Sequence, residues 1–127
     1  MYLSVLPSSD TPAYRQLYEQ LAAQILSGAL PPGTALPPIR TVAKELGVSV
    51  ITVRSAWDAL EADGLIETRA GSGCYVAFLP TEERTRRRMD ALNEPLSVLL
   101  ATAKNYGFSE QELYESIRLA WKGKDSL

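Results

Sequence analysis

Two short helical patterns are separated by only Gly47 and Val48, and this spacing limits the possible folds more than any other feature of the sequence. The first pattern begins after Pro37-Pro38, and the second begins at Ser49, whose hydroxyl group can cap a helix. In each pattern apolar residues recur at helical spacing, so each helix has one face to bury. These residues are Ile39, Val42, Ala43 and Leu46 in the first helix, and Val53, Ala56, Trp57 and Leu60 in the second. Two short helices joined across a tight glycine turn indicate a helix-turn-helix.

A longer amphipathic helix precedes this pair, and a predicted hairpin follows it. The apolar residues of the preceding helix recur from Tyr14 to Leu26, with Thr11 as the cap and Pro12 at the first helical position. The hairpin consists of two strands, from Leu65 to Arg69 and from Cys74 to Phe78, on either side of a glycine-rich turn. Three helices followed by a hairpin are the element order of a winged helix-turn-helix.

A change of composition divides the chain into an N-terminal domain, residues 1–80, and a C-terminal domain, residues 81–127. The second domain begins with an arginine-rich helix and continues with a leucine-rich stripe, in which Pro95 requires a kink or a new helix near Asn93. A capping box, Ser109 to Glu112, begins the last helix. We therefore predict a mostly α-helical protein with a small β-hairpin, in which a winged helix-turn-helix is followed by a short two-helix C-terminal domain.

The residue types of the chain argue against an enzyme. The sequence has no histidine and a single cysteine, so it lacks the commonest general base and the usual ligands of zinc. It also lacks a phosphate-cradling glycine motif and a paired nucleophile and base. We therefore expect no catalytic site, no cofactor and no metal ion. The cysteine, Cys74, lies in a predicted strand, where packing explains it more simply than redox sensing does.

Hydropathy and charge restrict the partners of the chain. No apolar run is long enough to span a membrane, and no signal peptide is recognisable, so we expect a cytoplasmic protein without a membrane partner. The net charge of −2 gives no support to a nucleic-acid partner, because DNA-binding proteins usually carry a basic surplus. Residues 1–80 also hold more acidic than basic side chains. A case for DNA binding must therefore rest on the positions of individual residues.

The helix that begins at Ser49 is the predicted recognition helix, because the second helix of a helix-turn-helix enters the major groove with its N-terminal residues nearest the bases. We expect Thr52 and Arg54 on this helix to contact bases or phosphate. Arg40 and Lys44 lie one turn apart on the preceding helix, so they share a face and can bind backbone phosphate. The alternative for each cation is a solvated charge without a ligand.

The tip of the hairpin is a second candidate contact with DNA. Gly71, Ser72 and Gly73 allow the backbone to approach a phosphate or the minor groove without a side-chain clash, and Arg69 stands beside them. The alternative is that the glycines only make the turn.

The spacing of residues from Pro12 to Val76 resembles the signature of the GntR family of bacterial regulators. The matching residues are Pro12, Tyr14, Gln16, Leu17, Ile25, Gly28, Leu30, Gly33, Leu36, Pro37, Arg40, Val42, Ala43, Leu46, Gly47, Val48, Ser49, Thr52, Val53, Ala56, Leu60, Gly64, Leu65, Ile66, Gly71, Gly73 and Val76. The resemblance implies a winged helix-turn-helix that binds double-stranded operator DNA as a homodimer. Such regulators are usually repressors that a small-molecule effector releases.

Within that family, the short C-terminal domain is similar to that of the YtrA subfamily, whose members often regulate transporter operons. Residues 81–127 are too few for the larger effector domains of most other members. The resemblance assigns the DNA contacts of the family to Arg40, Ser49, Thr52, Arg54 and the wing residues Gly71 to Gly73. The chain departs from the family at Pro38, where many members have serine, and at Val50, where many have arginine.

The C-terminal helices are predicted to form a dimer interface. They cannot build an independent core, because scaffolds below roughly 70 residues rarely bury enough apolar surface alone. The economical partner is the same apolar stripe of a second copy, related by a two-fold axis. The stripe comprises Leu92, Leu96, Leu99, Leu100, Leu113, Ile117 and Trp121. The alternative is that it folds back on the N-terminal domain. We interpret the arginines at positions 84 to 88 as solvated charges, with a contact to DNA as the alternative.

A competing function for the whole chain is a winged-helix module that mediates protein interactions without specific DNA binding, because a fold does not dictate its ligand. Salt dependence distinguishes the two functions. Binding driven by phosphate contacts weakens steeply as the salt concentration rises, whereas binding through an apolar protein interface does not.

Overall fold

A computed structural model of the chain describes residues 1–125 and has the expected order of elements. Three helices are followed by an antiparallel hairpin of two strands and then by further helices. The bounds are α1 Ala13–Leu26, α2 Ile39–Leu46, α3 Val50–Ala62, β1 Ile66–Arg69, β2 Gly73–Val76, α4 Thr81–Asp90, α5 Asn93–Asn105 and α6 Glu110–Asp125. In this described part, no helix is long and apolar enough to cross a membrane. The predicted fold class, mostly helical with a small hairpin, is confirmed.

The N-terminal core lies where α3 packs against α1, α2 and β1. Every residue that helical spacing predicts for the inner face of α3 is buried, with at most 3% of its surface exposed. On α2, Val42 and Ala43 are buried, whereas Ile39 and Leu46 are half-buried near the ends of the helix. The other buried residues of these elements are Leu17, Leu21 and Ile25 on α1, and Leu65, Ile66 and Val76 in and beside the hairpin. The three helices therefore cover one another's apolar faces.

The start of α1 differs from the prediction. Pro12 precedes the helix as its N-cap residue and does not occupy the first helical position, and no side-chain hydrogen bond caps this end. The φ of −56° and ψ of 149° at Pro12 place it in the extended region, which the proline ring permits as readily as a helical conformation. Its carbonyl oxygen accepts hydrogen bonds from the amides of Arg15 and Gln16. The predicted cap at Thr11 is therefore wrong, because a backbone carbonyl replaces the hydroxyl group.

The hairpin is wider than its two strands suggest, because the loop before α2 pairs with β2. The Leu36 amide donates to the Cys74 carbonyl at 2.9 Å, and the Val76 amide donates to the Thr34 carbonyl at 2.9 Å. An isolated bridge joins Ala35 to Tyr75 between these bonds. Strand β2 is therefore bonded on both edges, which anchors the wing to the segment that leads into α2.

Three glutamines of α1 hold the first residues of the chain, which we name the N-terminal arm (residues 1–6). In each pair the side-chain amide accepts from the backbone N–H of an arm residue and donates to its carbonyl, at distances from 2.5 to 3.2 Å. The pairs are Gln24 with Tyr2, Gln20 with Ser4, and Gln16 with Leu6. The spacings agree, because four residues of helix rise roughly 6 Å and two residues of extended chain span roughly 6.7 Å. Leu3 and Val5 pack against the core between these pairs.

Helix α4 belongs to the N-terminal part of the molecule. The chain divides into two compact units, of which the first is Met1–Arg88 and the second begins at Met89. The division therefore falls in the last turn of α4, whereas the boundary expected after residue 80 lies at the start of this helix. Within the first unit, the Arg87 guanidinium donates to the Asp63 carbonyl at 2.5 Å and to the Glu83 carboxylate at 2.9 Å. Hydrogen bonds from Arg86 and then Arg87 lower the pKa of Glu83.

The arginine run at positions 84 to 88 is consequently not a uniformly solvated face. Arg86 and Arg88 are exposed, but Arg84 and Arg87 are half-buried. Because Arg87 binds the carbonyl at the end of α3, its positive charge stabilises the negative end of that helix dipole. The interpretation as solvated charge therefore applies to only part of the run.

The second unit consists of α5 and α6. Helix α5 begins at Asn93, as the position of Pro95 predicted. The capping box is confirmed: the Ser109 amide donates to the Glu112 carboxylate at 2.9 Å, and the Glu112 amide donates to Ser109 Oγ at 3.1 Å. The hydrogen bond from the Ser109 amide, followed by one between the carboxylate and the Ser109 side chain, lowers the pKa of Glu112. Among the described residues of this unit, Ala103 alone is buried and Leu113 alone is half-buried, so most of its apolar side chains face solvent.

Candidate nucleic-acid interface

The turn between α2 and α3 depends on the backbone conformation of Gly47. Its φ of 68° and ψ of 32° lie in the left-handed region, which a residue with a Cβ atom adopts at an energetic cost. The Val48 amide then donates to the Ala43 carbonyl at 3.0 Å and closes the end of α2. Because α2 ends so abruptly, Ser49 can begin α3 two residues later.

Ser49 caps α3, as its position predicted. Its hydroxyl oxygen accepts from the Thr52 amide at 3.0 Å and lies 2.7 Å from Thr52 Oγ1. The half-buried Thr52 therefore uses its hydroxyl group within the cap. The amides of Val50 and Ile51, in contrast, have no acceptor among residues 1–125. This end of the helix can therefore donate hydrogen bonds to an anion such as phosphate.

The outer face of α3 is exposed along its length, and we name its first four exposed residues the α3 stripe: Ile51, Arg54, Ser55 and Asp58. Spacings of three and four residues place them on one face of the helix. Ile51 is 75% exposed, whereas the neighbouring Val50 is half-buried and packs against the core. The surface that α3 offers to a ligand thus combines a cation, a hydroxyl group, a carboxylate and a branched aliphatic side chain.

Three predicted contact residues, Arg40, Lys44 and Arg54, carry unpaired positive charges. All three are exposed, and none forms an ion pair or a side-chain hydrogen bond within the part of the chain that the structure describes. Arg15 on α1 differs, because its Nε lies 3.8 Å from the Glu19 carboxylate. The cations of α2 and α3 can therefore bind phosphate without breaking an existing ion pair.

The wing arginine is held in place by its neighbours. The register pairs Glu67 with Tyr75, so Glu67, Arg69 and Tyr75 share the outer face of the hairpin. The Arg69 guanidinium donates to Glu67 Oε1 at 2.9 and 3.2 Å and lies 4.2 Å from the centre of the Tyr75 ring. The Tyr75 hydroxyl donates in turn to the Ser72 carbonyl at 3.1 Å. Arg69 and Ser72 are therefore exposed but already engaged.

The tip of the wing owes its shape to Gly71. Its φ of 75° is left-handed, and the Ser72 amide donates to the Arg69 carbonyl at 2.9 Å across the turn. A Cβ atom built on Gly71 or Gly73 would meet nothing within 4 Å, so no crowding within the chain requires glycine there. The turn itself accounts for Gly71, and the predicted contact of residues 71 to 73 with DNA stays a prediction.

Cys74 lies on the inner side of the hairpin. It is half-buried, packs against the core, and faces Thr68 with its Sγ atom 3.5 Å from the hydroxyl oxygen. Thr68 also donates a hydrogen bond to the Glu61 carboxylate of α3. These contacts support the interpretation of Cys74 as a packing residue and tie the wing to α3.

One polar contact between α1 and the end of α3 is not evident from local sequence patterns. The Tyr18 hydroxyl donates to the Asp63 carboxylate. Burial, followed by this hydrogen bond, raises the pKa of Tyr18 to about 12. Tyr18 fits the apolar spacing of α1, so only its hydroxyl group could have suggested a polar partner, and the partner is distant in sequence.

The chain is similar in sequence to a family of known proteins. The model of the family described as bacterial regulatory proteins, gntR family, matches residues 13–76, which extend from the start of α1 to the end of β2. The chain is 52% identical over 79 residues to the probable rhizopine catabolism regulatory protein MocR of Rhizobium meliloti. This match covers 62% of the chain but only 16% of MocR. The HTH-type transcriptional repressor YtrA of Bacillus subtilis is 31% identical over 116 residues, which cover 91% of the chain and 89% of YtrA.

Two solved structures place the same fold in known regulators. YtrA from Sulfolobus acidocaldarius, described as a GntR-family transcription factor, aligns with a TM-score of 0.58 at 30% identity, over 72% of this chain and 96% of that one. AraR(DBD) in complex with operator ORX1 aligns with a TM-score of 0.53 at 32% identity, over 61% of this chain and 99% of that one. The similarity thus includes a protein whose structure was determined in complex with an operator.

Proposed function

The chain belongs to the GntR family of bacterial regulatory proteins and is a transcriptional regulator with a DNA-binding domain, and from this premise we propose that it is a cytoplasmic, homodimeric repressor of a palindromic operator. As a member of this family it is a regulatory protein and not an enzyme. The observation that carries the proposal is the set of unpaired cations, Arg40, Lys44 and Arg54, around an exposed recognition helix. Unpaired cations favour a polyanionic ligand over an apolar protein surface.

Each element has a defined task in this proposal. Arg40 and Lys44 bind backbone phosphates and fix the position of the domain on the duplex. The free amides at the start of α3, which the Ser49 cap keeps oriented, add contacts to phosphate. Arg54 contacts bases or phosphate from the first turns of α3, and Thr52 adds a contact only through the hydroxyl group that it also uses in the cap. The wing, with Arg69, Ser72 and its two glycines, approaches the backbone beside the groove.

The proposed dimer uses the exposed apolar face of α5 and α6. The residues predicted for the interface are exposed in the single chain, except for the half-buried Leu113. A second copy, related by a two-fold axis, would cover this face and place two recognition helices on the same side of the duplex. Half-sites about 34 Å apart, one turn of DNA, or a multiple of that distance, would then form a palindrome.

The identity of the regulated genes is proposed from the resemblance to the YtrA subfamily. The match to YtrA of Bacillus subtilis, which is named as a repressor, covers nearly the whole of both chains. We therefore place the operator upstream of a transporter operon and expect a small-molecule effector to release the protein. Mapping the preferred sites across a genome, with the neighbouring genes in view, tests this assignment.

The experiment that tests DNA binding is a titration of a duplex selected by this chain from a random pool, repeated from about 50 to 200 mM salt. We expect the logarithm of the affinity to fall linearly with the logarithm of the salt concentration. The R40A/K44A double variant should lower the slope by about 0.9 for each phosphate that it no longer binds. The matched control is R118A on α6, whose guanidinium lies 4.0 Å from the Glu115 carboxylate. If the chain enriches no duplex, or if its affinity does not change with the salt concentration, the alternative function as a protein-interaction module is favoured.

A further inference from the structure

The α3 stripe contains one aliphatic residue, Ile51, beside three polar ones. Three quarters of the surface of Ile51 faces solvent, in the first turn of the recognition helix. A single exposed aliphatic residue on a protein surface is common and needs no ligand. This one shares its face with Arg54 and Ser55, on the helix that the proposed function places in the major groove.

The neighbouring residues leave Ile51 as the side chain best placed to contact a base at this end of the helix. The Thr52 hydroxyl is 2.7 Å from Ser49 Oγ and serves the cap. Val50 is half-buried and packs against the core. The Ser49 hydroxyl oxygen accepts a hydrogen bond from the Thr52 amide. The first turn of α3 therefore presents one projecting aliphatic side chain and no unengaged hydroxyl group.

The charges around Ile51 determine which class of partner this apolar group can have. Arg40, Lys44 and Arg54 are exposed and lack ion pairs among the residues described. An apolar protein partner would have to desolvate these cations without compensating them, which is unfavourable. A DNA duplex supplies phosphates for the cations and, in its major groove, one apolar group on a base edge. That group is the C5-methyl of thymine.

We propose that Ile51 reads thymine through contact with its C5-methyl group, so that each operator half-site contains a thymine which the protein recognises by that methyl. The proposal rests on the proposed function and adds the identity of a base and of the residue that reads it. An aliphatic side chain has no hydrogen-bonding group, so it distinguishes bases only by this methyl group or by their shape.

The test replaces thymine with deoxyuracil, which lacks the methyl group but keeps every hydrogen-bonding group of the base edge. The probe is a duplex selected by the wild-type chain from a random pool, with its thymines replaced one at a time. At one thymine of each half-site we expect a loss of about fourfold in affinity, the effect of removing one buried methyl group. The I51A variant should bind the thymine and deoxyuracil duplexes equally well at that position.

The matched control is F78A, which truncates a side chain that is 76% exposed, in the same unit but outside α3. This variant should keep the full sensitivity to deoxyuracil. If I51A retains that sensitivity, or if no thymine of the selected duplex responds to the replacement, the proposal for Ile51 is overturned while DNA binding stands. If the wild-type chain enriches no duplex at all, the result contradicts the proposed function itself, and with it the proposal for Ile51.

Discussion

The helix pairs α2–α3 and α5–α6 carry similar patterns of apolar residues but differ in what covers them. In α2–α3 the inner residues are buried under α1, the hairpin and the N-terminal arm. In α5–α6 the corresponding residues face solvent, and Leu96 and Leu100 are 48% and 40% exposed. The first pair is covered within its own unit. The second pair has an apolar face that is exposed in the described chain, which is why we assign the proposed dimer interface to it.

The first prediction tests this difference by placing charges on the apolar face of α5. In the double variant L96D/L100D, two carboxylates replace leucines one turn apart, and burying them at an interface is strongly unfavourable. We expect the dissociation constant of the dimer to rise by at least about 1000-fold, because each tenfold requires only about 1.4 kcal/mol. Sedimentation velocity measures the change, and operator affinity should fall with it.

The control for this variant lies on the same helix. Val98 is exposed and stands two residues from Leu96, about 200° around α5, so V98D adds a charge away from the predicted stripe. It should leave the dimer intact. A monomeric wild-type chain at micromolar concentration, or a double variant that still dimerises, would remove the basis for the dimer and leave open the packing of the stripe against the N-terminal domain.

The second prediction concerns the covered pair. Leu60 on α3 is fully buried, so L60A creates a cavity and should lower the free energy of unfolding by about 2 to 5 kcal/mol. Chemical denaturation followed by circular dichroism measures this loss. The same substitution at the exposed Leu6 should change stability by less than about 0.5 kcal/mol. Equal losses at the two positions would contradict the assignment of the core.

The covered pair was also the more predictable one from sequence. Helical spacing identified all the inner residues of α3, and the glycine at position 47 identified the turn, because both signals are local. The cap at Ser49 was local as well and is confirmed. Local signals were ambiguous at the start of α1, where proline is compatible with either of two adjacent positions. The first unit includes a contact between Arg87 and the distant Asp63, which no spacing rule contains.

The sequence predicted which residues of the candidate site are exposed, but it did not predict which of them already contact other side chains. Arg40, Lys44 and Arg54 are exposed as expected. The contact of Arg69 with both Glu67 and Tyr75 follows from strand register, which sequence predicts less reliably than helical spacing. The sequence patterns did not predict the N-terminal arm. The glutamines of α1 bind the backbone of the arm, and such polar contacts produce no periodic pattern of apolar residues. The i, i+4, i+8 spacing of these glutamines on α1 was the available signal.

The third prediction tests how much the N-terminal arm adds to the cover of the first unit. Gln20 binds both the amide and the carbonyl of Ser4, at 2.9 and 2.7 Å. In Q20A water replaces both of these bonds. One exposed hydrogen bond contributes about 0.5 kcal/mol, at the low end of the usual range, so we expect Q20A to lower the free energy of unfolding by about 1 kcal/mol. Hydrogen exchange at the Ser4 amide should accelerate. Q111A, on an exposed position of α6, is the control and should change neither quantity. An unchanged exchange rate in Q20A would show that the arm is held by Leu3 and Val5 instead.

The fourth prediction, with the smallest expected effect, concerns the difference between the paired cation of the wing and the unpaired cations of α2 and α3. Glu67 competes with phosphate for Arg69 and also repels the duplex, whereas Arg40 has no such competitor among the described residues. The neutral, equally sized side chain in E67Q should therefore tighten operator binding, by about twofold to fivefold at low salt, the value of an exposed ion pair. The salt slope should steepen by about 0.9 if Arg69 gains one phosphate. The control is E19Q, which releases Arg15 on α1 in the same way. Arg15 is not among the proposed contacts, so both quantities should stay unchanged. Equal or weaker binding by E67Q would mean that the ion pair orients the wing for DNA, and Glu67 would then count among the residues that build the interface.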